Sequence, residues 1–293
     1  MKRNGKKRDL TVQRSAEVGQ DGGRVVGIDG KQAERTHNPN HSRCYSVVSG
    51  GEVGTIVASG ALRRPKTVID RKASKMGWIF GRSAELVPED EALKGGSHPV
   101  LENPKPHAVL GTPITGPWEE GQEVVYIGIG CYWGAEKLFW ETPGVLSTSV
   151  GFAGGMTPNP TYRESCTGRT NHTEIVEVVY DPEQISFDQL IAKAFEAHDP
   201  TQGYRQGNDV GTQYRSAIYT TTPEQARRAQ EIADAYAPKL ADAGLGAITT
   251  EIKPLAETPA GEYYRAEDEH QQYLFKNPNG YCPVHSTGVA CGI

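Results

Sequence analysis

All but one of the chain's 23 aromatic residues lie beyond position 75, and that partition decides where a core can form. Tyr45 is the single aromatic of residues 1–75, which carry a net charge of +9, whereas residues 76–293 carry −14. A segment of low hydrophobicity and excess charge cannot offset the entropy of ordering its backbone. Residues 1–75 are therefore expected to be a mostly disordered basic extension, with the folded domain in 76–293. The basic residues are scattered and not interleaved with aromatics, so nucleic acid is not an expected partner. No apolar stretch follows Met1–Lys7, which argues against a secretory signal, and seven acidic residues argue against a transit peptide. Met76, one of three methionines, opens the compositionally ordinary region and is the expected physiological start. No apolar run approaches the ~18 residues that a membrane helix needs. The five cysteines are too few for a disulfide scaffold, and their odd number leaves at least one thiol unpaired. A cytoplasmic monomer with no membrane partner is the expectation.

Residues 76–123 contain Pro88, Pro99, Pro104, Pro106, Pro113 and Pro117 and read as an extended arm, with Val109–Leu110 and Trp118 as anchors. The ordered core is placed at 124–253. Val124–Ile129 is an apolar run of strand length, and residues 132–141 read as a helix stopped by Pro143–Gly144. Strands follow at 145–152 and 174–180, separated by a loop at 154–172. Ser186 and Gln189 make a capping-box pattern for a helix with Leu190, Ile191, Ala194 and Phe195 on its apolar side. After a polar loop at 201–213 come a strand at 215–220, a helix from Thr222–Pro223 to about Ala243 and a strand at 248–252. Pro238 is expected to kink or break that helix. The tail, 254–293, reads as irregular apart from a helix at 267–275. This order, with its split βαβ arrangement, predicts an α+β fold: a ferredoxin-like two-layer α/β plait with helices on one face and long irregular N- and C-terminal arms.

The sharpest local feature is Gly130-Cys131-Tyr132-Trp133-Gly134, a cysteine at the first turn of a helix directly after a strand. The free N–H groups and partial positive charge of a helix N-terminus favour a thiolate and are expected to depress the pKa of Cys131. Tyr132 and Trp133 set two aromatic faces beside the sulfur. GCYWGAEKLFW resembles the active-site signature of the peptide methionine sulfoxide reductase A family, with Tyr132 where Phe is usual. The likeness continues through 154–182, 194–219 and 263–282, and excludes residues 1–75.

The resemblance implies an enzyme that reduces the S epimer of methionine sulfoxide, free or in oxidised proteins, without metal or organic cofactor and with thioredoxin as reductant. It implies Cys131 as nucleophile, with Glu174 as proton donor, favoured in its protonated form by partial burial at the start of a strand. It further implies Tyr162 and Tyr214 as hydroxyl donors and Asp209 as an orienting group, with Tyr132 and Trp133 holding the substrate methyl. By the same resemblance, Cys282 resolves the Cys131 sulfenic acid and Cys291, in a flexible Gly-rich tail, relays the disulfide outward. Pro283 stiffens the step after Cys282. Cys166 and Cys44 are read as non-catalytic. Left open beside this reading are a thiol peroxidase, a thiol-based redox sensor, and a zinc site using Cys282, His285 and Cys291.

Overall fold

The computed structural model describes residues 85–281 and 286–292. The readings on residues 1–75, on Met76 as a start, and on Cys44, Cys282, Pro283 and His285 lie outside the described residues. The chain forms β1 (Glu123–Ile129), α1 (Tyr132–Trp140), β2 (Val145–Ala153), α2 (Tyr162–Ser165), β3 (Thr173–Tyr180) and α3 (Phe187–Ala197). A two-residue hairpin pair follows, β4 (Arg205–Gln206) and β5 (Asp209–Val210), then β6 (Ser216–Thr220), α4 (Pro223–Asp242), β7 (Glu251–Pro254), β8 (Tyr264–Arg265) and α5 (Tyr273–Lys276). One six-stranded sheet runs in the order β7-β6-β1-β3-β2-β8. Every pairing is antiparallel except β6 with β7.

The strands alternate as a pleated sheet requires. On one face, Val125, Ile127 and Ile129 of β1 join Val176, Val178 and Tyr180 of β3, Val150 and Phe152 of β2 and Ile218 of β6. Phe139 of α1, Leu190, Ile191, Ala194 and Phe195 of α3, and Ala229, Ile232, Tyr236 and Leu240 of α4 pack into the same core. The opposite face carries a smaller cluster of Ile175, Ala217 and Tyr219 beside Tyr126, Leu255 and Tyr263. The fold is thus mixed α/β on a mostly antiparallel sheet. The capping box at α3 is complete: the Gln189 N–H donates to Ser186 Oγ at 3.2 Å and the Ser186 N–H to Gln189 Oε1 at 2.9 Å.

Several expectations are corrected. Pro238 neither breaks nor ends α4, which runs on to Asp242. Proline removes one intrahelical bond, and burial of Ala233, Tyr236 and Leu240 around it retains the helix. The last predicted strand is displaced to Glu251–Pro254, where parallel pairing with Ala217–Thr220 fixes it. The tail is less irregular than expected, because β8 adds an edge strand to β2, while the helix at 267–275 contracts to the single turn of α5. The loop at 154–172 contains α2, whose capping box joins Thr161 and Glu164. The arm is anchored by His107 and Ile114, both buried, whereas Val109 is 40% exposed. It also clasps the loop before β3, with the Leu93 N–H on Arg169 O and the Thr157 hydroxyl on Leu93 O.

Candidate active site

The site sits where β1 hands over to α1. Gly130 takes φ +102°, and the Gln206 side chain from β4 occupies the space where a Cβ would stand. A side chain here would therefore meet both backbone strain and the neighbouring hairpin. Cys131 is the N-cap of α1 and is buried. The next amide, Tyr132 N–H, donates to Glu174 Oε2 at 2.9 Å. Glu174 is itself buried, on the helix-covered face of β3, paired in register with Phe152.

The expected depression of the Cys131 pKa is overturned. Burial, then the charge of Glu174, push the thiol well above its ordinary value, with Asp209 acting in the same sense. The N–H groups of Trp133 and Gly134 favour the thiolate but do not prevail. Here the cost of desolvating the thiolate outweighs the help of the helix N-terminus.

Around the cysteine the aromatic residues form a wall. The Tyr132 ring lies 6.1 Å from Trp133 and 6.4 Å from Tyr162. Trp133 stacks on Tyr273 at 4.0 Å, and His270 lies 4.2 Å from Tyr162. The Tyr132 hydroxyl is buried with no protein hydrogen-bond partner, consistent with an apolar pocket that a phenol only partly suits. Tyr162 opens α2, its N–H held by both oxygens of Glu267 at 3.0 and 3.3 Å. Tyr214 is buried in a 3-10 turn, Thr212–Tyr214, which is tied to β3 because the Thr173 hydroxyl reaches Gln213 O and Arg215 O, both at 3.0 Å. Asp209, on β5, is buried and accepts from the Tyr281 hydroxyl at 3.1 Å, one residue before Cys282.

Cys131, Tyr132, Trp133, Glu174, Tyr162 and Asp209 thus come from four neighbouring segments around one helix start, and the turn that carries Tyr214 is tied to Thr173, beside Glu174. Cys291 does not join them. Its side chain is 3% exposed and packs in the core under α3 and α4. Its N–H donates to Glu196 Oε1 at 2.6 Å, and Lys239 Nζ donates to its carbonyl. The expected freely moving segment around Cys291 is therefore docked, because Val289 and Cys291 supply apolar surface that α4 can bury. Sequence reasoning missed Glu136, Glu267, His270, Gln272, Tyr273 and Tyr281. The i, i+3 spacing of His270 and Tyr273 was the one local signal. Among the described residues no cluster of three or more His, Cys, Asp or Glu side chains could hold a metal, and no helix is long and apolar enough to cross a membrane.

A buried cysteine at a strand-to-helix junction, a carboxyl on the adjoining amide and an aromatic wall thus sit together on a mixed α/β fold. A family profile described as peptide methionine sulfoxide reductase matches residues 123–290. Peptide methionine sulfoxide reductase MsrA of Corynebacterium diphtheriae is 76% identical over 221 residues, spanning 74% of this chain and 99% of the relative. The corresponding protein of Corynebacterium glutamicum is 63% identical over 218 residues, with 74% and 99% covered. Among solved structures, methionine sulfoxide reductase A of Corynebacterium diphtheriae superposes with a TM-score of 0.65 at 77% identity, over 71% of this chain and 99% of that one. The chain belongs to the peptide methionine sulfoxide reductase family and is an oxidoreductase.

Proposed function

We propose that the chain reduces the S epimer of methionine sulfoxide, free or in oxidised proteins, to methionine. The observation that carries this reading is the Glu174 carboxyl hydrogen-bonded to the amide beside Cys131, inside an aromatic wall. The methyl group of the sulfoxide rests against Tyr132 and Trp133. The Cys131 sulfur attacks the sulfoxide sulfur, and Glu174 takes the thiol proton and donates it to the oxygen, assisted by the hydroxyls of Tyr162 and Tyr214. The oxygen passes to the Cys131 sulfur as its bond to the substrate sulfur breaks. Asp209 orients this network. One thiol and one sulfoxide become a Cys131 sulfenic acid and a thioether. Cys282 then condenses with the sulfenic acid and releases water, giving a disulfide. Cys291 attacks that disulfide and passes it to thioredoxin by exchange. Because Cys291 is docked, this last step requires residues 286–292 to leave α3 and α4. No metal or organic cofactor enters the scheme.

At the level of architecture, the strand order β6-β1-β3-β2 with α1 and α3 on one face supports a ferredoxin-like plait. The catalytic domain is read as 76–293, working as a monomer in the cytoplasm. The test is consumption of S and R methionine sulfoxide by the purified chain, with dithiothreitol and separately with thioredoxin, beside Cys131→Ser. Loss of the S epimer alone, abolished in the variant, is the expected result. A folded chain that consumes neither epimer would bring the sensor reading forward. Consumption with dithiothreitol but not with thioredoxin would remove the Cys282–Cys291 relay.

A further inference from the structure

Glu136 lies on α1, five residues after Cys131, and is fully buried. Its carboxyl is the end point of three hydrogen bonds. The Gln272 N–H donates to Oε2 at 2.8 Å, Gln272 Nε2 donates to Oε1 at 2.8 Å, and the Thr148 hydroxyl donates to Oε1 at 3.2 Å. His107 completes the chain of donors from the arm. Its Nδ1 accepts the N–H groups of Val109 and Leu110, which leaves Nε2 to donate to Thr148 Oγ1 at 2.8 Å. Gln272 Oε1 in turn accepts the Ala108 N–H at 3.2 Å. One carboxylate therefore ties together the arm, the helix that bears Cys131 and the C-terminal segment.

The conformation it holds is an uncommon one. Gln272 stands at φ +48°, ψ +42°, a left-handed geometry that residues other than glycine adopt only when their surroundings impose it. The residue after it is Tyr273, stacked on Trp133, and two residues before it is His270, against both Trp133 and Tyr162. We infer that Glu136 is a positioning residue: by clamping Gln272 in its left-handed turn it sets Tyr273 and His270 against Trp133 and Tyr162, and so fixes the shape of the pocket that receives the substrate methyl group. The role of that pocket rests on the reductase reading above; the clamp itself does not.

The carboxyl also carries a pH signature that an inert buried group would lack. Burial pushes Glu136 up to about 7, against the opposing pull of Gln272, Thr148 and, from α5, Lys276. His107, on the arm, is held down to about 4 by its own burial and stays neutral across this range. Below pH 7 a protonated Glu136 loses acceptor capacity toward donors that cannot turn away, and the clamp loosens.

The experiment compares the full chain with Glu136→Gln, Glu136→Asp, Gln272→Ala and the Glu136→Gln/Gln272→Ala pair. In Glu136→Gln the KM for S methionine sulfoxide is expected to rise about tenfold while kcat with dithiothreitol holds within about twofold, the loss of roughly one charged hydrogen bond. Glu136→Asp restores part of the affinity, and the double variant is no worse than the single ones, because both cut the same clamp. Between pH 6 and 8, KM falls with rising pH in the parent and is flat in Glu136→Gln. Amide hydrogen exchange over 270–276 is read in parallel and is expected to be at least about tenfold faster in Glu136→Gln. Unchanged exchange in Glu136→Gln and Gln272→Ala would overturn the clamp. Faster exchange with an unchanged KM would overturn its link to the pocket. If the parent reduced no sulfoxide, the reductase reading would fall, and the exchange data would still decide the clamp.

Discussion

At Cys131 two influences oppose each other, and burial, reinforced by Glu174, decides the outcome. Burial and the Glu174 carboxylate raise the thiol, while the N–H groups of Trp133 and Gly134 lower it. Replacing Glu174 with Gln removes the charge and keeps the shape. Alkylation of Cys131 by iodoacetamide, followed against pH, is expected to shift to lower pH in Glu174→Gln. Sulfoxide turnover is expected to fall by about 10²–10³-fold, as for loss of a general acid. A variant that became both more alkylatable and equally active would deny Glu174 its role as proton donor. The Tyr132 hydroxyl allows a second test at this scale. It is buried without a protein partner, so Tyr132→Phe removes an unmet polar group. A stabilisation of about 1 kcal/mol is expected, raising Tm by about 2–4 °C, together with a lower KM for methionine sulfoxide. Thermal melts and initial rates check both, and an unchanged KM would show that the phenol does not face the methyl pocket. The cysteine was legible in the sequence because strand, glycine, cysteine and helix are consecutive. Its protonation was not, since that depends first on burial by distant segments and then on Glu174, which is 43 residues away and placed by the register of β3 against β2.

At the scale of elements, what could be read followed from local pattern. The cores of β1, β3, α3 and α4 announce themselves through apolar periodicity and caps such as Ser186 and Thr222. β8 and the β4–β5 pair are two residues per strand and exist through pairing alone, which no local window records. The bond between Gln272 and Glu136 spans 136 residues and is equally silent in the sequence. In the proposed relay, the docking of residues 286–292 governs the step at Cys291. Ser286 Oγ donates to Glu196 O at 2.6 Å, the Tyr236 hydroxyl to Val289 O at 2.8 Å, and the Cys291 N–H to Glu196 Oε1. Burial and Glu196 raise the Cys291 thiol, so it is slow to react for reasons of both access and charge. Tyr236→Phe removes one tie without opening a cavity. At about 1 kcal/mol per net hydrogen bond, local opening becomes about fivefold more frequent. Peptide mapping of alkylation at Cys291 is expected to show that acceleration, and Glu196→Gln an increase of similar size. Equal rates in parent and variants would mean that the segment is not held by these bonds.

The whole molecule is tuned against acid by histidines that the fold keeps neutral. His107, His172 and His198 are each lowered to about 4 by burial. His172 accepts the Gly155 N–H at Nδ1 and donates to Thr157 O from Nε2, tying the loop after β2 to the segment that enters β3 and Glu174. His198 bonds Ala194 O and the Ser216 hydroxyl, both at 2.7 Å, joining the end of α3 to β6. In the unfolded chain these rings titrate near 6.5, so between about pH 6.5 and 4 the unfolded state binds more protons than the native one. Stability is present in full above pH 6.5 and is lost as pH falls toward 4, by about 3 kcal/mol each for His172 and His198. Glu136 works in the opposite sense. Its native pKa of about 7 lies above the ordinary carboxyl value, so its contribution is largest below pH 4.5 and disappears as pH rises through 7. Burial raises Glu267 as well, in the same sense as Glu136. Three histidines outweigh these two carboxyls, so Tm is expected to drop steadily from pH 6.5 to 4. Glu136→Gln removes one of these two opposing groups, and its Tm should fall more steeply over that window than the parent's. Calorimetric melts at half-unit steps of pH decide the matter. A parallel or shallower fall in Glu136→Gln would mean that Glu136 holds no extra proton in the native state, and a Tm independent of pH from 4 to 7 would mean that the three rings are not held neutral by burial.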